Sequence, residues 1–347
     1  MKRRQLLQAT SALAFGAPAL VGLAQERVTL RLHTFLPATS NAWTQILKYW
    51  MDKVTQESGG QIQFQAYAAM QMGGSPAQLY DQVRDGVADI VWTLPGYTPG
   101  RFLRAEAMEL PFMTYDAEGA SRAAWHYVEQ HAGEDFKDVR LLAFAMHGRG
   151  VLHSRAKAIT AMEHLQGMKV RGPSRLSTKM LTQLGASAVG MPLPQIPDAL
   201  SKGVIDACAL PWDIVTSVKV HELVKHHTEM PASRPALYNS TFAFAMNKAR
   251  YERLPAPLKA VIDRHSGADL SAYFGRVQQS HDPVARQTAV ANGNMVHVMA
   301  DTEADRFIRA TEPVYREWVN EVAARGLDGD KLLAAAREQV ARYRPRA

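Results

Sequence analysis

Cysteine is almost missing from these 347 residues: Cys208 stands alone, so no internal disulfide can form and the fold must hold by packing. Its place in the apolar run from Val204 to Leu210 marks it as a buried, inert thiol. Long apolar runs are missing too. Beyond residue 24 no stretch of about 18 apolar residues occurs, so nothing later in the chain is expected to span or insert into a membrane. Charge of one sign is scarce: the formal net charge is +7, and Lys2, Arg3 and Arg4 supply three of those cations, leaving 7 − 3 = 4 on the remainder. So small an excess implies no nucleic-acid partner. Catalytic signatures are absent as well: there is no Gly-x-Ser-x-Gly elbow, no cysteine pair and no phosphate-cradling glycine loop. In His221-Glu-Leu-Val-Lys225 a lysine stands where a metalloprotease helix needs its second histidine, and His226 and His227 do not restore the i, i+4 spacing. No metal and no cofactor is expected.

What is present describes an ordinary globular chain, 47% hydrophobic and 21% charged, long enough for two domains. Lys2-Arg3-Arg4 followed by the apolar run Ser11 to Ala24 reads as an export signal, with Gly22-Leu23-Ala24 offering small residues for cleavage before Gln25. The Arg3-Arg4-Gln5-Leu6-Leu7 order resembles a twin-arginine signal; a Sec signal with adjacent arginines is the alternative. Either route ends in the periplasm.

From Val28 onward, period-2 and period-3.6 patterns alternate. Val28 to Leu32, Ile62 to Ala66 and Ala88 to Leu94 read as strands, separated by a helix carrying Trp43, Ile46, Leu47, Trp50 and Val54 and a shorter one carrying Leu79 and Val83. Val139 to Met146 is a further strand, running into Gly148-Arg149-Gly150, where the chain is expected to cross into a second domain. There Met168 to Arg171, Ser187 to Met191 and Val204 to Leu210 repeat the alternation, and Tyr238 to Met246 returns. Met295 to Val298 is a last strand and the tail is helical. Strand and helix alternating in this way predict an α/β protein with mainly parallel sheets, whose ligands collect at the carboxyl ends of the strands.

Arg171 falls at such an end, and Gly172-Pro173-Ser174 behind it opens a helix. A guanidinium beside a helix N-terminus and apolar walls suits a planar carboxylate. Arg149, between two glycines, is the second candidate, although its neighbours fit a simple turn equally well. Trp212, Tyr97, Trp92 and Phe35 lie at or near strand ends and serve either as pocket walls or as core. His33 and His147 stand beside the same ends, as ligand contacts or as structural histidines.

The chain resembles the periplasmic solute-binding receptors of tripartite ATP-independent periplasmic (TRAP) transporters, which include C4-dicarboxylate and sialic acid receptors. Four segments carry the resemblance: Gly73-Gly74 with residues 79–89, Glu109-Leu-Pro-Phe112, residues 165–171, and residues 199–206. It implies a two-domain α/β binding-protein fold with a cleft, crossing segments and a long helix. Residues 25–147 with 237–275 would form one domain, and 148–236 with 276–347, including the C-terminal helices, the other. It further implies that Arg171 pairs with a ligand carboxylate, that Arg149 matches a second arginine, that Asn239 matches a polar position at the return crossing, and that the partner is a membrane permease. The chain departs from the family at Ala209-Leu210-Pro211, where relatives carry Glu-Asn-Pro, at Thr93 and Leu94, where sialic-acid-type receptors carry a carboxylate, and at Phe35. The lost polar partners point away from sugar acids and toward a monocarboxylate with an apolar or aromatic body, such as a 2-oxo or 2-hydroxy acid. A receptor feeding a sensor kinase and a periplasmic enzyme acting on a carboxylic acid are the alternatives.

Overall fold

The computed structural model describes residues 27–344; the export signal read at residues 1–24 lies outside them. Among the described residues eleven strands form two sheets: β1 (Val28–Thr34), β2 (Ile62–Tyr67), β3 (Ile90–Thr93), β4 (Val139–Met146), β5 (Gly150–Ser154), β6 (Lys169–Gly172), β7 (Ser187–Gly190), β8 (Ala207–Pro211), β9 (His226–Glu229), β10 (Thr241–Asn247) and β11 (Met295–Val298). The first sheet has the order β2-β1-β3-β10-β4 and the second β11-β9-β5-β8-β6-β7. This is the two-lobed α/β architecture that the alternation and the resemblance predict.

The sheets are mixed rather than mainly parallel. β1 runs parallel to β2 and β3, but β10 is antiparallel to both β3 and β4. In the second sheet β5 is antiparallel to β8 and β9. The reversals follow from chain crossing, because β10 enters the first sheet from the other lobe and β5 enters the second sheet directly from β4. β5 and β9 are also strands that hydrophobic alternation does not predict. Their inward positions include His153 and His227, polar residues that are fully buried and hydrogen-bonded to each other.

Helices cover both faces of the first sheet, so β10 is buried at every position. Trp50 from helix Lys48–Glu57 meets Phe244 edge-on, with centroids 4.8 Å apart, and Phe274 from helix Ala268–Ser280 packs on Trp92 at 5.0 Å. The chain crosses between the sheets at residues 147–149 and 237–241. Asn239 clamps the two crossings together, its Nδ2 donating to the carbonyls of His147 (2.8 Å) and Gly148 (2.9 Å). A third connection is the long helical run Ala268–Ser280 and Asp282–Ala291, interrupted at His281. Pro283 has no N–H to continue the ladder there. Its first half packs on helix Ala117–Tyr127 and β4, and its second half on the short helix Trp212–Val215.

Candidate ligand-binding site

β6 is four residues long, and its last position needs a glycine because a Cβ at Gly172 would come within 2.9 Å of the Thr178 backbone nitrogen. Ser174 then caps helix Arg175–Gln183. Arg171, just ahead of this turn, is 1% exposed. Its Nε donates to the Met191 carbonyl (2.9 Å) and its Nη1 to the Ala209 carbonyl (2.8 Å). Both acceptors are neutral. Among the described residues no carboxylate forms an ion pair with Arg171, so a buried positive charge is left for something outside the fold to neutralise.

That charge faces a small, narrow cavity. It lies at the ends of β1, β3, β4, β6 and β8 and the start of β10, with walls of Phe35, Leu94, Leu193, Leu210, Ile214 and Phe242. Tyr97 meets Phe35 edge-on at 5.4 Å, and its hydroxyl accepts the Leu193 N–H across the cleft at 3.0 Å. His147 also lines the cavity, with both ring nitrogens already engaged. Its Nε2 accepts the Ser240 N–H (2.9 Å), which leaves Nδ1 to donate to the Gly148 carbonyl (2.7 Å). Burial, reinforced by the nearby Arg171 charge, holds this imidazole down to about 4, so it is neutral at pH 7. Four buried atoms of lining residues, the Tyr238 hydroxyl, Ser240 Oγ, Asp213 Oδ1 and Gln278 Oε1, find no hydrogen-bond partner among the described residues.

Of the residues singled out from sequence, Arg171, Tyr97, Phe35, Leu210 and His147 meet around this cavity. Arg149, Trp212, Asn239, Trp92 and His33 do not line it. The Arg149 guanidinium turns toward the carbonyls of Pro231 (2.9 Å), Arg234 (2.8 Å), Pro235 and Tyr115 and ties down that loop. Its flanking glycines make room for neighbours: a Cβ at Gly148 would strike the Asp282 carboxylate, and one at Gly150 the Tyr238 ring. The Trp212 indole packs against His153 and His227 and donates to Glu229 (2.8 Å). Trp92 belongs to the aromatic core with Phe242, Phe244 and Phe274. His33 hydrogen-bonds Gln82 (2.6 Å) and accepts from the Met72 N–H beneath the 70–73 loop.

Four polar lining residues escape the sequence reading: Asp213, Tyr238, Ser240 and Gln278. For two of them the signal is present. Side chains alternate across extended backbone, so when Asn239 faces the crossing strand, Tyr238, Ser240 and Phe242 face the cavity.

The lobes are closed on each other in this structure. Gly96 sits so near Ser174 that an added Cβ would lie 2.7 Å from the serine Cβ. Arg175 reaches back to Glu106, with Nε 3.2 Å from Oε1, and also pairs with Glu321. Buried Glu109 accepts from the Thr241 N–H (2.9 Å) and hydroxyl (2.7 Å).

A family model described as bacterial extracellular solute-binding protein, family 7, matches residues 33–321. Among solved structures, the chain is similar to a TRAP solute-binding protein from Rhodoferax ferrireducens T118 in complex with copurified benzoate: 53% identity, 91% of this chain and 98% of that one covered, TM-score 0.90. A marine metagenome TRAP solute-binding protein specific for aromatic acid ligands, co-crystallised with 3-hydroxybenzoate, is 44% identical over 92% of this chain and 99% of that one, TM-score 0.90. A protein of the same type from Bordetella bronchiseptica, with bound (R)- and (S)-mandelate, is 28% identical over 91% and 99%, TM-score 0.82.

Proposed function

Because the chain belongs to the bacterial extracellular solute-binding proteins of family 7, we propose that it is a periplasmic receptor for a small monocarboxylate with an apolar or aromatic body. It delivers this ligand to a TRAP permease. The observation that carries the reading is Arg171, a buried cation held by neutral carbonyls at the end of a small cavity with apolar walls. One carboxylate neutralises it. A second carboxylate would lie unpaired against Phe35, Leu94 and Leu210, at more than the about 1 to 3 kcal/mol that an unpaired neutral group costs, and a row of sugar hydroxyls would outnumber the few polar atoms of the wall. The benzoate, 3-hydroxybenzoate and mandelates held by the similar proteins support this ligand class.

In this reading the ligand carboxylate bonds the free edge of the Arg171 guanidinium, with the Tyr238 and Ser240 hydroxyls as further donors. Phe35, Tyr97 and Leu210 cover the ring. The domains follow the segments 25–147 with 237–275 and 148–236 with 276–347, except that the last helix, Gly329–Tyr343, packs mainly on helix Ala117–Tyr127 of the first lobe, and a ligand touching both domains favours the closed state over the open one. In this reading nothing is turned over: His147 is neutral with both ring nitrogens engaged, and burial pushes the Cys208 thiol up to about 12. The periplasmic address rests on the signal read at residues 1–24.

Titration calorimetry on chain freed of copurified ligand by unfolding and refolding tests the reading. Benzoate binds saturably, and Arg171→Ala weakens it by on the order of 2 to 5 kcal/mol. Arg171→Lys, which keeps the charge but loses the planar fork, falls between. Equal affinity in wild type and a folded Arg171→Ala variant would sink the assignment.

A further inference from the structure

The cavity's orphaned polar atoms divide by chemistry. The hydroxyls of Tyr238 and Ser240 can donate. On the same wall stand two orphaned acceptors, Asp213 Oδ1 and Gln278 Oε1. Both belong to side chains more than nine-tenths buried: Asp213 is 3% exposed and Gln278 2%. Asp213 opens the short helix Trp212–Val215, and Gln278 comes from the long helix Ala268–Ser280, so two separate elements bring acceptors to one cavity.

No cation explains Asp213. The Arg171 charge bears on Tyr97, His147, Cys208 and Tyr238, whereas the Asp213 carboxyl is influenced by burial and by the N–H groups of Asp213 and Ile214. The adjacent Asp282 is itself a buried acid, and Arg286 of the same helix is paired with Glu229. Burial without a counter-charge lifts Asp213 to about 7. A buried acceptor left in this condition costs about 1 to 3 kcal/mol unless a donor reaches it. Two orphaned acceptors on the wall of a cavity that also presents Arg171 and two orphaned hydroxyls give one site with both donors and acceptors to offer.

Building on the monocarboxylate reading, we propose that Asp213 and Gln278 form a hydroxyl-accepting subsite, so that the preferred ligand is an aromatic acid carrying a ring hydroxyl. The hydroxyl donates to Asp213 Oδ1 or Gln278 Oε1 while the carboxylate is held by Arg171. An unsubstituted ring fits the walls but leaves both acceptors unpaired, and a methyl ether both lacks the proton and adds bulk.

Calorimetry with the full chain decides it, using benzoate, 3-hydroxybenzoate, 4-hydroxybenzoate and the two corresponding methoxybenzoates against wild type, Asp213→Leu and Gln278→Leu. In wild type one hydroxybenzoate binds about tenfold or more tighter than benzoate, and its methyl ether binds more weakly than benzoate. In each variant that hydroxybenzoate-to-benzoate ratio shrinks. Benzoate binding with no gain from either hydroxyl, or a ratio that persists in both variants, overturns the subsite while leaving the monocarboxylate reading intact. Failure of all five acids to bind wild type overturns that reading and the subsite with it. Circular dichroism checks that the variants fold; should Asp213→Leu not, the wild-type series and Gln278→Leu still decide.

Discussion

Two arginines of similar appearance in the sequence have opposite surroundings, and the difference lies in what accepts their hydrogen bonds. Arg149 is satisfied by backbone carbonyls of residues 115 and 231–235, so its role is to hold a loop. Arg171 uses two donors on carbonyls and faces the cavity with the rest. Arg149→Ala should therefore lower thermal stability, by about 3 kcal/mol if two charge-assisted bonds are lost, while disturbing benzoate affinity far less than Arg171→Ala does. Paired melting curves and titrations check this; a larger affinity loss in Arg149→Ala would exchange the two roles. Arg171 was legible because strand end, glycine and capping serine all point to one spot. Trp212 misled for a local reason: Pro211 and Asp213 face the cavity, and the residue between them is turned toward His153 and His227. One-residue alternation at a strand end cannot be resolved before the register is known.

At the scale of elements, regular amphipathic segments were readable and the inserted ones were not. β4 and β11 span the residues expected of them, 139–146 and 295–298. β5 and β9 carry buried histidines whose mutual bond, His227 to His153 at 2.6 Å, only the assembled sheet provides. In that chain His153 Nε2 donates to the Leu210 carbonyl (2.9 Å), which leaves its Nδ1 to accept from His227, whose Nε2 accepts from Asn294. The elements that meet across the cleft also had no sequence signature. Gly96 is an ordinary turn glycine until helix Arg175–Gln183 brings Ser174 against it. Gly96→Val should leave each lobe folded, because its tightest clash, with Ser174, arises only on closure while the same-lobe Glu109 Oε2 lies 3.2 Å from the added Cβ, yet weaken benzoate by about tenfold or more, the scale of a few lost closure contacts. Small-angle scattering should show the wild type contracting with benzoate and the variant failing to. Full contraction and unchanged affinity in the variant would mean that the lobes need not approach this closely.

For the whole molecule, two sheets joined by crossings at residues 147–149 and 237–241 and by the helical run 268–291 place one cavity where strand ends from both lobes converge. The alternation of elements predicts that architecture, and the rule that ligands gather at strand ends predicts the cavity's place. The polar complement, Tyr238, Ser240, Asp213 and Gln278, depended on tertiary convergence, since these residues lie up to 65 positions apart (278 − 213) and belong to no shared motif. The central claim is a carboxylate bound by Arg171 at one end of an apolar cavity. A crystal structure of the chain with benzoate tests it most directly: the carboxylate is expected within hydrogen-bond distance of the Arg171 guanidinium, with the ring between Phe35, Tyr97 and Leu210. A benzoate carboxylate bound at Arg149, or turned away from Arg171 within the cavity, would contradict it.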